Sequence, residues 1–339
     1  MKRPDGQTVF LGSVILIGGL VVIGLLVYTP GNDGEAGAAR RRSNLELADI
    51  PFDGQSAYEM LNRICKLGSR VSGSTGMLQQ QEILRDHFQE LGGQVEFQRF
   101  QVRHPINGTA VPMANLIVRW HPDRKERILI CAHYDTRPFP DRDPDPRKRR
   151  ALFVGANDGA SGVAVLAELA KWMPAFDSKL GVDFVLFDGE ELVYDDNRDP
   201  YFLGSRYFSQ DYVSRPRDYR YRVGVLLDMV GDGDLQIYQE KNSMRWIDSR
   251  PFVTAIWETA NSLGVKEFIP RRKHEIRDDH LMLHEVAKIP ALNIIDFDYR
   301  RRGSNQSFWH TTQDTPDKCS ALSLAKVGWV VSEWLKKQR

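Results

Sequence analysis

Residues 182–191 read VDFVLFDGEE: a short run, apolar but for Asp183, that closes on Asp188-Gly189 and then on two adjacent glutamates. Runs of this length and composition belong to strands buried on both faces. The same signature recurs in RILICA (127–132), VGVLLD (223–228) and ALNIID (291–296). Helical periods lie between and around these runs, so strand and helix alternate through most of residues 94–339. That alternation predicts a three-layer α/β/α domain with a mixed, mostly parallel central sheet. Ligands of open α/β sheets bind at one edge of the sheet, where the strands end.

Chemistry-bearing residues follow most of these runs. They are His133 in CAHYDT, Asp158 in GANDGASG, Glu190 and Glu191 in FDGEE, Asp228 in VGVLLDMVGD, and His310 in FWHTTQDT. Taken singly each has an ordinary explanation: a structural histidine, a helix cap, a turn aspartate, an acidic loop facing water. Together they form an oxygen and nitrogen donor set that suits zinc. Two adjacent carboxylates after a buried strand are costly without a cation or a proton to share. In extended backbone neighbouring side chains point to opposite sides. One glutamate can therefore bind a metal while the other faces substrate as a proton carrier. Glycines on both sides of Asp158 permit close backbone approach, and its carboxylate can cap the following helix or hold a metal. Trp309, next to His310, can wall a substrate pocket.

Around this core, Ala57, Met60, Leu61, Ile64 and Leu67 recur at helical spacing. A second helix is expected over about 76–91, with Leu84, Phe88 and Leu91 on one face. VEFQRFQV (95–102) alternates as a half-buried strand, and NLIVRW (115–120) supplies another. An apolar helix is expected over 159–172, and covering helices over 251–263 and 320–337. The stretch RPFPDRDPDPRKRR (137–150) reads as a solvated surface loop or, given its place after His133, as a loop covering substrate.

The 339 residues carry 42% hydrophobic and 27% charged residues and a formal net charge of +1. That balance argues against a nucleic-acid partner. Cys65, Cys131 and Cys319 make neither a metal spacing nor a disulfide framework. Residues 9–28 form a 20-residue stretch without a charge, long enough at the helical rise to span roughly 30 Å of bilayer core. We expect a short tail (1–8), a single-pass membrane anchor (9–28), a Gly- and Ala-rich linker (29–46) and a catalytic domain (47–339). A signal peptide cleaved near Ala36-Gly37-Ala38 is the alternative. Lys2 and Arg3 favour a cytoplasmic N-terminus with the domain outside the cytoplasm, against the pull of Arg40, Arg41 and Arg42 beyond the span.

The ordered motifs GSRVSGSTG (68–76), HYDT, GANDGASG, DGEE, GSRYF (204–208), LLDMVG, Asp278-Asp279-His280 and WHTTQDT resemble the superfamily that unites zinc aminopeptidases and animal-type glutaminyl cyclases. The resemblance covers roughly residues 50–339. It implies one zinc held by Asp158, Glu191 and His310, with Glu190 as general acid and base. His133 and Asp228 match the ligands of a possible second metal, with Asp158 bridging. In the cyclases, Asp228 and Asp278 would join a hydrogen-bond network beside the substrate, and Trp309 matches the aromatic before the zinc histidine. Two positions depart from the cyclase pattern. Tyr194-Asp195-Asp196 stands near where the cyclases carry a Trp, and Asn293, a candidate pocket residue, stands where they carry a His.

The implied substrates are peptide or protein N-termini. A glutaminyl-peptide cyclotransferase would convert N-terminal glutamine to pyroglutamate with release of ammonia, using one zinc. An aminopeptidase would hydrolyse the first peptide bond, using two. A catalytically silent anchored domain is the third reading, and no ligand or base position is missing to favour it.

Overall fold

The computed structural model describes residues 42–300 and 306–338. In chain order the strands are β1 (Gln94–Arg103), β2 (Ala110–Trp120), β3 (Glu126–His133), β4 (Gly181–Phe187), β5 (Arg220–Asp228), β6 (Ile237–Glu240), β7 (Phe268–Lys273) and β8 (Ala291–Ile295). The helices are α1 (Gly54–Cys65), α2 (Thr75–Glu90), α3 (Ala160–Leu169), α4 (Leu203–Ser214), α5 (Lys241–Arg245), α6 (Arg250–Ser262), α7 (Asp279–Glu285) and α8 (Ala321–Lys336).

Among the described residues the main sheet has the order β1-β2-β4-β3-β5-β8. Strands β4, β3, β5 and β8 run parallel, while the β1–β2 hairpin adds antiparallel strands at one edge. The period-2 geometry of a strand sorts its side chains between two cores. Ile128, Ile130, Phe184, Leu186, Val225, Leu227 and Ile294 face one side, where the larger core includes residues of α1, α2, α3, α6 and α8. Leu129, Cys131, Val185, Phe187 and Leu226 face the other, with Phe208 of α4 and Leu283 of α7. Helices on both faces make the three layers, as the alternation predicts. All seven residues of β4 are buried, and each large apolar side chain there contributes about 1.5–3 kcal/mol by leaving water.

Most expected helices lie within a few residues of their predicted bounds. The one expected over 159–172 stops as an α-helix at Leu169 and tightens into a 3₁₀ turn over Ala170–Ala175, which contains Pro174. Helices α4 and α7 carry no clear apolar stripe in sequence. The buried positions of α4 include Gly204, Ser205 and Ser209, small residues that permit close packing without announcing it. The parallel pair β6–β7 forms a separate two-stranded sheet.

The far end of the expected linker is already attached to the domain. The backbone N–H and Oγ of Ser43 donate to Glu267 (3.1 and 3.0 Å), Lys326 Nζ donates to the same carboxylate (2.8 Å), and Arg42 pairs with Asp234. The expected tail and span, with most of the linker, lie outside the described residues. Among the described residues no helix is long and apolar enough to cross a membrane.

One buried ion pair fastens the end of the sheet opposite the ligand-bearing loops. Arg127 pairs with Asp183 and donates to the carbonyls of Trp120, His121, Arg124 and Val182. A Cβ on Gly181 would stand 2.1 Å from the Arg127 guanidinium, so a larger residue there would push the guanidinium off its carbonyl partners. Removing one partner of such a pair strands a buried charge, at a cost of about 3–5 kcal/mol. Arg127→Met is accordingly expected to lower the unfolding free energy by about that amount, read from the urea midpoint. A loss below about 1 kcal/mol would show that the site relaxes or admits water.

Candidate active site

The parallel strands end in line, and their C-terminal extensions carry the chemistry. His133 and Asp228 are the last residues of the adjacent strands β3 and β5, and Glu190 and Glu191 follow β4 by a short turn. Asp158 precedes α3, Asp278 is the N-cap of α7, and His310 lies between β8 and α8. Asp158 does not cap its helix. Gly159 holds the N-cap position at φ 100° with no side-chain cap, which leaves the Asp158 carboxylate free for other partners. A Cβ at residue 159 would meet the Asp135 carbonyl oxygen at 2.6 Å and the His133 ring at 3.2 Å. Glycine there brings the Asp158 loop against His133.

Asp158 is the centre of two clusters. Its Oδ2 lies 3.3 Å from His310 Nε2, and Glu191 Oε1 lies 2.7 Å from the same nitrogen. On its other side, His133 Nε2 stands 3.2 Å from Asp158 Oδ1 and 3.2 Å from Asp228 Oδ1. In each group, Asp158–Glu191–His310 and His133–Asp158–Asp228, one ligand atom per residue lies within 4.8 Å of the others. The donor set of histidine nitrogen and carboxylate oxygen fits zinc. Behind the two rings stand further carboxylates. His133 Nδ1 faces Asp135 (3.7 Å) and His310 Nδ1 faces Asp141 (3.6 Å), both too long for hydrogen bonds, and both nitrogens are buried without one. Carboxylates behind metal-binding histidines orient such rings and raise their basicity.

The pair after β4 is held through its backbone. Asp135 accepts from the N–H of Glu190 (3.1 Å) and of Glu191 (3.0 Å). Glu191 then reaches His310 and accepts from the Arg137 backbone N–H (3.1 Å). Glu190 is half-buried and faces the cavity. Asp314 fixes the opposite loop by accepting from the N–H groups of Asn157 and Asp158 (2.8 and 3.1 Å) and from Tyr299 Oη (2.8 Å). Asp135 and Asp314 support the site without touching the cavity. Their only signal in sequence is their place inside HYDT and HTTQDT.

Electrostatics reflect this crowding of acids. Burial opposes the charged Asp158 carboxylate, but hydrogen bonds from His133 and His310 outweigh it and hold the group below its usual range. Burial also disfavours the His310 cation, yet the Glu191 charge and the contacts with Asp141 and Asp158 push that imidazole up to about 10. Burial raises the Glu190 carboxyl well above the ordinary range; the His133 charge opposes this, and the Glu191 and Asp278 charges reinforce it. Burial, with the charge of Asp228, lifts Asp278 to about 7. A divalent cation at Asp158 would relieve the same repulsion by charge rather than by proton.

A cavity of about 370 Å³ opens over these groups. Asp158, Glu190, Glu191, Asp228, Asp278 and His310 line its floor, and Trp309, Phe297, Tyr201 and Arg142 its walls. Three non-glycine residues with positive φ border it, Phe202 (59°), Met229 (50°) and His310 (54°). Such strain gathers where surrounding structure holds a functional geometry. Asn293 lies elsewhere: it is buried in β8, and its Nδ2 donates to Asp278 (2.7 Å) from behind the wall. It positions Asp278 and does not line the pocket.

The 137–150 stretch is a working wall. Arg137 is buried and pairs with Asp141, Glu191 and Asp196. Asp143 accepts from the backbone N–H of Thr312 (2.9 Å), tying the loop to the His310 turn. Arg142 lies over the Trp309 ring, 4.5 Å from its centre. The far half, around Arg147–Arg150, faces solvent, as a surface loop would.

The sequence profile of Peptidase family M28 matches residues 115–335. A glutaminyl-peptide cyclotransferase of Drosophila melanogaster is 26% identical over 265 residues, spanning 72% of this chain and 70% of that protein. The crystal structure of Fimbriiglobus ruber glutaminyl cyclase superposes with a TM-score of 0.80 at 38% identity, over 88% of this chain and 98% of that one. A leucine aminopeptidase precursor from Bacteroides thetaiotaomicron VPI-5482 superposes with a TM-score of 0.78 at 29% identity, over 85% and 98%.

Proposed function

The chain belongs to peptidase family M28, and from that premise we propose that it is a zinc-dependent glutaminyl-peptide cyclotransferase, converting N-terminal glutamine of peptides to pyroglutamate. The observation that carries this reading is the placement of Glu190, half-buried and, among the described residues, without a hydrogen-bond partner for its carboxylate, beside Asp158, Glu191 and His310 at the floor of the aromatic-walled cavity. The similarity to glutaminyl cyclases supports it.

Asp158, Glu191 and His310 would hold the zinc, which supplies Lewis-acid polarisation of the substrate γ-carboxamide. Trp309 and Phe297 pack the glutamine side chain and exclude water. Glu190 takes a proton from the substrate α-amine as the nitrogen attacks the carbonyl carbon of the γ-carboxamide. The lactam C–N bond forms, the bond to the amide nitrogen breaks, and Glu190 returns the proton to the departing ammonia. No water is consumed, so each turnover releases one ammonia and shortens no peptide.

A second reading is kept by one observation, the His133–Asp158–Asp228 group, whose donors would accept a second metal as the two-metal aminopeptidases require. The deciding experiment gives the protein a Gln-peptide and Leu-amide in parallel. We expect ammonia and a pyroglutamyl peptide from the first and no leucine from the second. Free leucine with two zincs per chain, and no ammonia from the Gln-peptide, would assign the aminopeptidase reaction instead.

We further propose that residues 9–28 anchor the enzyme, with the N-terminus cytoplasmic and the catalytic domain outside the cytoplasm. The length of the charge-free run supports this. Deleting residues 1–41 should move the protein from the carbonate-resistant membrane fraction to the soluble fraction with activity retained. The cut stops there because Arg42 and Ser43 contact the domain. Full-length, unprocessed protein in the soluble fraction would refute the anchor.

A further inference from the structure

Charge is distributed unevenly along the cavity. The floor is acidic, suited to a metal and to the ammonium group of a peptide N-terminus. At the rim, the ionic groups Arg142, Asp196, Glu275 and Arg277 line the opening. Three of these are matched locally. Asp196 pairs with Arg142 (3.1 Å) and with Arg137, and Glu275 pairs with Arg245 (2.9 Å). Arg277 is different. It is exposed, its guanidinium carbon lies 5.6 Å from the centre of the Tyr201 ring, and among the described residues no carboxylate stands within ion-pair distance of it.

The chain leading to Arg277 continues the same sign. Arg271 and Arg272 of β7 are exposed, and Lys273, His274 and Arg300 converge on the single carboxylate of Asp298. The His274 ring lies 5.5 Å from Phe297, a cavity wall, so this basic strip adjoins the opening. With a net charge of only +1 on the whole chain, the strip is a local excess and not a general background.

We infer that the preferred substrates carry acidic residues directly after the N-terminal one, with Arg277 reading the second residue and the β7 strip those beyond it. The inference rests on the reading that the cavity takes peptide N-termini, since a site that encloses the first residue leaves the second at the rim. Rim charges act through complementarity and repulsion together: an acidic residue meets an unpaired cation, and a lysine meets the same cation as a like charge.

The test compares three peptides of equal length with Gln-Glu, Gln-Ala and Gln-Lys at the N-terminus, using the full chain at low salt. We expect kcat/KM to fall in that order, with Gln-Glu exceeding Gln-Lys by roughly five- to tenfold, mainly through KM. In 0.5 M salt the preference should shrink. Arg277→Glu should invert the order, and Arg277→Gln should flatten it. Equal kcat/KM for the three peptides in the unmodified protein would overturn the inference and leave the cyclase reading intact. If no Gln-peptide releases ammonia, the cyclase reading fails, and the corresponding Leu-Glu, Leu-Ala and Leu-Lys series then decides the inference by leucine release. Equal rates in the peptide series, together with an Arg272→Glu loss of binding to phosphatidylserine vesicles, would assign the strip to a lipid surface and overturn the inference.

Discussion

Glu190→Gln is expected to lower turnover by about 10²–10⁴-fold while leaving the metal content of the protein unchanged. The substitution keeps size and hydrogen-bonding capacity and removes the group that carries a proton. Metal content should persist because the side chain reaching His310 is that of Glu191, 2.7 Å from its Nε2. Glu190 faces the cavity instead. The measurement is ammonia release from a Gln-peptide alongside zinc per chain by atomic absorption. Loss of zinc with turnover retained after metal is restored would mean that the two glutamates have exchanged roles. Exogenous small carboxylates partly restoring the truncated Glu190→Ala would strengthen the assignment, since a merely structural side chain gains nothing from them.

Asp158→Ala is expected to abolish measurable turnover and metal retention together. No other residue belongs to both donor groups, so its loss opens the His310 side and the His133 side at once. Truncating this ligand also takes one carboxylate partner from each of two buried imidazoles: His133 and His310 each approach an Asp158 oxygen, at 3.2 and 3.3 Å, and keep Asp228 and Glu191 respectively. His133→Ala separates the readings. Under the cyclase proposal it removes a neighbour of Asp158 and lowers turnover less than Asp158→Ala does. Under the two-metal aminopeptidase reading it removes a ligand and costs activity comparably. Chelation should inactivate the unmodified protein and added zinc should restore it. Full activity after exhaustive chelation with no residual metal would remove zinc from the mechanism.

Several parts of this arrangement were legible in order along the chain. Apolar runs such as RILICA and VDFVLFD identify buried parallel strands because both faces of such strands exclude water. The acids and histidines that follow them must gather at one edge, since parallel strands all end on the same side. Glu190-Glu191 calls for a cation or a proton on sequence alone, because adjacent carboxylates after a buried strand repel each other. The sequence pattern leaves β6, β7 and the helices α4, α5 and α7 unmarked. A two-stranded sheet outside the core and helices with small or polar buried positions lack the hydrophobic period on which such reading depends.

The tertiary structure decided what local pattern cannot encode, namely which distant groups meet. Asp158 stands between His133 and His310, residues 177 apart. Asp314 reaches back 156 residues to hold the Asp158 N–H. Arg137, in a segment that reads as solvent-loving, is buried because Asp141, Glu191 and Asp196 all face it. Asn293 sits behind the wall because the register of β8 on β5 turns it toward Asp278, outside the cavity. Arg277 is one arginine among many in the sequence, and only the surroundings of its guanidinium distinguish it. Sequence therefore determined the class of fold and the kinds of chemistry at its edge. The partners of each charge depend on distances between residues far apart in the chain, and those distances exist only once the sheet has assembled.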